Sequence, residues 1–318
     1  MISLKEFAEK LKAEKSVAII SHVRPDGDTI GSSVGLCFAL RSSGVPADLF
    51  CEDNVPEKYR FLAGTELYSD GDINENYSAV VAVDVAEITR SGKYGLCFIK
   101  RKNTYNLDHH VSNTRFAKYN YISGTAAAAE IVFGLIKELG VPITEDIANA
   151  LATGVITDTG NFRHKNVTLD TLKVATELFS FGADFNKIIY NTFNLQSRER
   201  AELFGKTMAR IRYFHGGKTA MGIVRLSDFK DTGAKQEDTE GFIDFIMGIR
   251  GVEIGVCVME TEKDKYKVSF RSHGADVNAV AGTFGGGGHT LAAGCKIYGD
   301  IEEVVDRLTF AVSRAIEE

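Results

Sequence analysis

Over the first 190 residues, short apolar runs alternate with amphipathic stretches. Val17-Ala18-Ile19-Ile20 and Ala79-Val80-Val81-Ala82-Val83 are unbroken, and Ala47 to Cys51 is nearly so. Runs of that length predict strands buried on both faces of a sheet. Leu96 to Ile99 and Thr104 to Leu107 read as two further strands. The stretches between them carry helical signals. Ser3 to Glu6 is a capping box flanked by Ile2 and Phe7 as a hydrophobic staple, so a helix opens the chain. Gly31 to Leu40 predicts a helix stopped by Gly44, and Gly124 to Gly140 predicts one stopped by Gly140. Two more are expected over Glu145 to Ile156 and Thr168 to Phe181. Strands alternating with helices imply an open, mostly parallel α/β domain.

The pattern changes near residue 190. Gln196 to Tyr213 is a charged helical stretch suited to linking two domains. Beyond it, Thr219 to Arg225, Glu253 to Met259 and Tyr266 to Arg271 are strand candidates. A glycine run at Gly285 to Gly288 and a final helix from Ile301 complete a smaller α+β pattern. The expected organisation is a domain over 1–190, a linker helix over 191–215 and a second domain over 216–318, in keeping with roughly 150 residues per domain.

Composition narrows the class. Of 318 residues, 44% are hydrophobic and only 4 are proline, enough to build cores and too apolar for disorder. Mean hydropathy is −0.08 and no long uncharged apolar run occurs, which argues against a membrane helix. The first twenty residues mix charges with apolar residues at helical spacing, unlike a secretory signal. Five scattered cysteines make neither a disulfide framework nor a zinc ribbon. A reduced, cytoplasmic setting is expected. The net charge of −6 disfavours long duplex nucleic acid as a partner, because each phosphate contact wants a Lys or Arg. It is compatible with a short anionic substrate held in one pocket and with a carboxylate-rich site whose charge cations offset.

Four segments carry candidate chemistry. Ser21-His22-Val23-Arg24-Pro25-Asp26-Gly27-Asp28 follows the first strand, where open α/β sheets place ligands. Asp84 ends the Ala79–Val83 run, Asp108-His109-His110 follows another strand candidate, and Asp158 closes an apolar helical stretch. Each segment alone also reads as a turn or a helix cap. Together they supply His22, Asp26, Asp28, Asp84, His109 and Asp158. Mixed imidazole and carboxylate donors suit Mn²⁺, Mg²⁺ or Fe²⁺ over thiolate-preferring ions. Six donors exceed the needs of one open catalytic metal. A pair about 3.5–4 Å apart with a bridging carboxylate uses them all and suits phosphoester hydrolysis.

The segments HVRPDGDTIGS, the strand-ending Asp84, the DHH triplet at 108–110 and TDTGNF resemble, in order, the four motifs of the DHH phosphoesterase family. Val268 to Ser272, Phe284 to His289 and Ala292 to Gly294 resemble its DHHA1 domain. The resemblance implies a doubly wound parallel sheet joined to a smaller C-terminal domain. It also implies two metals, Mn²⁺ foremost, one on His22, Asp26 and Asp84 and the other on Asp28, Asp84, His109 and Asp158. Asp108 would orient the histidine beside it, and His110 would touch the scissile phosphate or the leaving oxygen. Arg271, Ser272, the backbone of Gly286, Gly287 and Gly288, and His289 would bind substrate, the glycines as an anion nest. The length and the GGGGH run are most similar to the stand-alone oligoribonuclease (nano-RNase) and 3′-phosphoadenosine 5′-phosphate (pAp) phosphatase group. A soluble phosphodiesterase of cyclic di-AMP or pApA, and a nucleotide sensor that binds without cleaving, are the competing readings. The preferred nucleotide is left open, as is the oligomeric state, a homodimer being one option.

Overall fold

The computed structural model of the protein describes residues 2–317, which fall into two compact units divided between Leu195 and Gln196. In the first unit β1 (Val17–Ile20), β2 (Ala47–Phe50), β3 (Tyr68–Ser69), β4 (Ala79–Val83), β5 (Thr104–Asp108) and β6 (Tyr119–Ile122) form one fully parallel sheet. Its strand order is β3-β2-β1-β4-β5-β6. Chain order runs outward in opposite directions from the β1/β4 pair, so the topological switch point lies between those strands. Helices α1 (Leu4–Lys12), α2 (Gly27–Ser42), α3 (Tyr94–Ile99), α4 (Ala128–Leu139), α5 (Glu145–Asp158), α6 (Leu169–Ser180) and α7 (Phe185–Ile189) complete the unit.

Both sheet faces are covered, as the unbroken apolar runs require. Val17 and Ile19 of β1 join the larger core with residues of α1, α2, α4 and α5. Ala18 and Ile20 join a smaller core with Tyr94 and Phe98. Leu96 to Ile99 is therefore not a strand. Tyr94 and Phe98, four apart, are buried while Leu96 and Ile99 are 68% and 60% exposed, a helical rather than a two-residue alternation.

Helix α2 is buried along most of its length and lies close against α5. A Cβ on Gly31 would sit 2.1 Å from the Ala150 carbonyl oxygen, and one on Gly154 would sit 2.6 Å from Asp28 Oδ1. The glycines let the two backbones approach, and that approach brings the start of α2 beside the end of α5.

The second unit holds α8 (Arg198–Met208), β7 (Arg212–Phe214), β8 (Thr219–Val224), α9 (Leu226–Thr232), α10 (Phe242–Met247), β9 (Ile254–Glu262), β10 (Lys265–Ser272), α11 (Val277–Gly282), β11 (Gly287–His289), β12 (Ala292–Tyr298) and α12 (Ile301–Glu317). Its mixed sheet runs β11-β12-β10-β9-β8-β7, antiparallel except for β8 and β9. One continuous linker helix is not found over 191–215: α8 ends at Met208 and an edge strand follows. The charged stretch also has an apolar side: Leu203 of α8 packs in a core with Val224, Phe242 and Met259.

Candidate active site

The site is built from the carboxyl ends of parallel strands. His22 follows β1, Asp84 follows β4 and Asp108 ends β5, all at one edge of the sheet and around its switch point. Asp26 is the N-cap of α2 and accepts from the N–H groups of Asp28 and Thr29, both at 3.1 Å. A cap and a ligand are thus compatible on one carboxylate, because capping uses only one oxygen. Thr29 Oγ1 donates to the Val83 carbonyl at 3.0 Å and ties the helix start to the end of β4. Asp84 has φ of 59°, a left-handed conformation that a non-glycine residue holds only where its surroundings enforce it.

The buried Asp84 carboxylate faces two groups at once. Its Oδ2 lies 3.6 Å from His22 Nε2, which is itself 3.7 Å from Asp26 Oδ2. Its Oδ1 lies 3.5 Å from His109 Nε2, which is 3.3 Å from Asp158 and 3.9 Å from Asp28. Three potential cation groups follow, His22/Asp26/Asp84, Asp28/His109/Asp158 and Asp84/His109/His110, with donor atoms inside each group within 4.8 Å of one another. Asp84 Oδ1 is buried without a hydrogen-bond partner. An orphaned buried carboxylate oxygen is costly unless something cationic meets it.

Backbone carbonyls aim both histidines. His22 Nδ1 donates to the Val23 carbonyl at 2.9 Å and His109 Nδ1 to the Thr125 carbonyl at 3.1 Å, leaving each Nε2 toward the carboxylates. That is the usual orientation of a metal-binding histidine. Asp28 is held from the other side. Its Oδ2 accepts from Ala128 N at 2.5 Å, and its Oδ1 from Ala129 N at 3.0 Å and Ser32 Oγ at 2.9 Å. Helix α4 has no capping side chain of its own, so Asp28 caps it from another helix.

The electrostatics fit a cation. Burial pushes the Asp28 carboxyl well up, with repulsion from Asp84, Asp158 and Asp26 adding to it. Burial likewise raises Asp84, reinforced by Asp26, and raises Asp158 to about 8, reinforced by Asp84 and Asp26. Burial alone would lower His22, but Asp26 and Asp84 outweigh it and hold the ring up at about 10. Divalent charge placed among these carboxylates would offset the same repulsion.

His110 differs from His109. Its Nδ1 lies 3.5 Å from Asp84 Oδ1 but donates at 2.7 Å to Asp108, which leaves that nitrogen no lone pair for a cation. Asp108 therefore orients His110 and not the adjacent His109. The bond to Asp108 is the main reason the His110 ring is raised above the ordinary imidazole range. Sequence reasoning missed Asn113, whose Nδ2 donates to the other Asp108 oxygen at 2.5 Å and to the Val85 carbonyl at 3.1 Å. An amide three residues after His110 in the same loop was the available signal.

In the second unit, Arg271 pairs with Ala292 on β12, and Ala292 pairs with His289 on β11. Directly paired residues share a face, so Arg271 and His289 stand in one row with a small residue between them. The anion nest expected of Gly286 to Gly288 is not present in that form. Gly286 N–H donates to the Ala281 carbonyl and Gly288 N–H to Asn278 Oδ1, because the run turns into an edge strand. Gly286 instead permits close approach: a Cβ there would sit 2.2 Å from the Gly294 carbonyl oxygen. The Ser272 hydroxyl is also committed, donating at 2.5 Å to the Ala275 carbonyl.

Residues 16–155 match the DHH family, N-terminal domain, and residues 218–318 match the DHHA1 domain. A bifunctional oligoribonuclease and PAP phosphatase NrnA of Thermus thermophilus is 37% identical over 96% of this chain and 92% of its own. The chain belongs to the DHH family. A protein of the same description from Bacillus subtilis is 28% identical over 92% of this chain and 93% of its own. The crystal structure of an exopolyphosphatase-related protein from Bacteroides fragilis superposes with a TM-score of 0.85 at 25% identity, covering 98% of this chain and 95% of the other. The order of motifs, the parallel DHH sheet and the mixed DHHA1 sheet agree, and the protein is a phosphoesterase-type hydrolase. Among the described residues no helix is long and apolar enough to cross a membrane.

Proposed function

We propose that the protein hydrolyses short oligoribonucleotides, di- to pentaribonucleotides, to mononucleotides and converts pAp to AMP and phosphate. The observation that carries the proposal is Asp84, a buried carboxylate with one oxygen toward His22 and the other toward His109. His22, Asp26 and Asp84 would hold one divalent cation, and Asp28, Asp84, His109 and Asp158 a second, with Mn²⁺ preferred to Mg²⁺ or Fe²⁺ by the mixed donor set. When bound, such a pair supplies Lewis-acid charge at the phosphoryl oxygens and a nucleophilic water at neutral pH.

The protein's own residues do the rest. Asp108 keeps His110 in a fixed orientation and favours its protonated form, so Nε2 carries the proton that meets a phosphoryl oxygen or the departing sugar oxygen. Asn113 fixes Asp108 in turn. Arg271 offers a planar fork, and His289 a further donor, to a phosphate that is not cleaved. The names carried by the Thermus and Bacillus relatives support the same substrate class.

Product analysis tests the proposal, using 5′-phosphorylated di- to pentaribonucleotides, pAp, pApA and a cyclic dinucleotide with Mn²⁺. Mononucleotides from the linear substrates and AMP from pAp are expected. Preferential turnover of the cyclic dinucleotide would replace this reading with that of a cyclic-dinucleotide phosphodiesterase. Saturable binding of all of them without turnover would make the protein a sensor.

A further inference from the structure

The second unit carries more cationic surface than the Arg271/His289 pair uses. The register of β10, β12 and β11 sorts their side chains onto two faces. Tyr266, Val268 and Phe270, with Ala293, Cys295 and Ile297, lie in the core beneath α11 and α12. The opposite face is open over β10 and β12. It presents rows of paired residues: first Arg271 with Ala292 and His289, then Ser269 with Gly294 and Gly287, then Lys267 with Lys296, then Lys265 with Tyr298. On the β9 side this face is closed, because Cys257 and Met259 pack with Leu203 and Phe242.

Two features of these rows stand out against the acidic whole. Lys267 and Lys296 are exposed, adjacent and of like charge, and among the described residues neither has a carboxylate within salt-bridge distance. Lys265, by contrast, is neutralised by Glu262 at 2.6 Å. Like charges directly opposite on a sheet oppose folding, so the pair brings the sheet no stability of its own. Beside it stands Tyr298, 59% exposed and on the same face. Lys267 is four residues from Arg271, about 14 Å at the rise of an extended strand. One phosphate does not span that distance. A second anionic group on the same ligand does.

We propose that Lys267, Lys296 and Tyr298 form a track for an oligoribonucleotide longer than a dinucleotide, continuing from the Arg271/His289 phosphate subsite. The two lysines take an additional backbone phosphate and the Tyr298 ring takes a base, the combination by which single strands are held without reading their sequence. The inference rests on the oligoribonuclease reading and extends it. The track weights the enzyme toward the longer end of its substrates, through binding and not through bond cleavage.

The test compares the full-length protein with its Lys267→Ala/Lys296→Ala and Tyr298→Ala variants in Mn²⁺, on a 5′-phosphorylated dinucleotide and a pentaribonucleotide. The double variant should raise KM for the pentamer roughly tenfold and Tyr298→Ala roughly fivefold, on the scale of one lost phosphate contact or stacked base. The dinucleotide should change less than about twofold, and Lys267→Arg/Lys296→Arg should restore most of the pentamer loss. In parallel, anisotropy of a labelled pentaribonucleotide on a slow His110→Ala background reads binding without turnover. There the double lysine variant should flatten the salt dependence by about one unit of slope. Equal losses on both substrate lengths, or unchanged pentamer binding and salt slope, would overturn the track. If no variant hydrolyses any oligonucleotide yet the lysines still control pentamer binding, the hydrolase reading fails and the track stands.

Discussion

The two units solve anion recognition in opposite ways. In the DHH unit the site side chains are short, mostly buried, and braced: His22 and His109 by backbone carbonyls, Asp28 by the start of α4, Asp108 by the Asn113 side chain. In the DHHA1 unit Arg271 and His289 are long and exposed, and among the described residues Arg271 has only a weak side-chain contact, with the Phe270 carbonyl at 3.4 Å. Chemistry at phosphorus requires donors preorganised in a dry, fixed geometry, since reorganisation there is paid from the rate. Binding a variable substrate tolerates adaptable side chains on a rigid sheet. A rigid centre and a compliant platform are what this comparison predicts.

The sharpest way to break it is Asp84→Ala. Because Asp84 faces both cation groups, its loss should lower kcat/KM at least about a thousandfold, ~4 kcal/mol in barrier terms. A variant keeping more than a tenth of wild-type turnover would dismantle the two-cation assignment. Chelation should have the same consequence and Mn²⁺ should reverse it.

Arg271→Ala probes the compliant side. It should cost about 2–3 kcal/mol in kcat/KM on a 5′-phosphorylated dinucleotide, the scale of lost charge-assisted hydrogen bonds. On bis-p-nitrophenyl phosphate it should change little. Equal losses on the two substrates would show that Arg271 serves the chemistry or the fold.

Gly31→Ala tests whether the centre depends on close helix approach. The added methyl meets the Ala150 carbonyl at 2.1 Å, so stability should fall by about 1–3 kcal/mol in urea unfolding. A stability gain, as helix propensity alone would give, would mean that α2 and α5 have room to spare.

The smallest effect is a pH dependence. Asp28, Asp84 and Asp158 are raised by burial and mutual repulsion, and His22 is held at about 10 against an ordinary 6.5. In the cation-free protein all four bind protons that the unfolded chain releases at lower pH. Its stability should therefore fall as pH rises from about 4 toward about 10, the native state binding more protons than the unfolded one. A bound cation replaces those protons, so the gain in Tm from Mn²⁺ should widen between about pH 5 and pH 8. A gap that stays constant or narrows would place the cation elsewhere.

Much of the DHH unit was legible because its strands are short and buried on both faces, and such runs announce themselves. Leu96 to Ile99 was misread for the same reason: four apolar residues carry too little periodicity to separate strand from helix. The edge strand β6 and the inner strand β12 were not anticipated, and neither was β11, since a glycine-rich edge strand has no hydrophobic alternation. The glycines of that run were expected to bind an anion. The N–H groups of Gly286 and Gly288 turned out to be occupied at Ala281 and Asn278, partners that are distant in pattern though near in chain.

The sequence by itself singled out the six candidate donors. His22, Asp26, Asp28, Asp84, His109 and Asp158 fall at or next to strand and helix ends, and their mixed imidazole and carboxylate chemistry points to a cation site before any geometry is known. Only the tertiary structure decided how the set divides. That Asp84 shows one oxygen to each histidine, that His110 Nδ1 is bonded to Asp108, that Asp28 caps a helix a hundred residues away and that Arg271 and His289 share a row all depend on parallel register, sheet pairing and the close contact of α2 with α5. The physical reason is range. Periodicity and capping report what each residue needs from its near neighbours, whereas an active site is made of residues whose neighbours are set by packing between elements far apart in the chain.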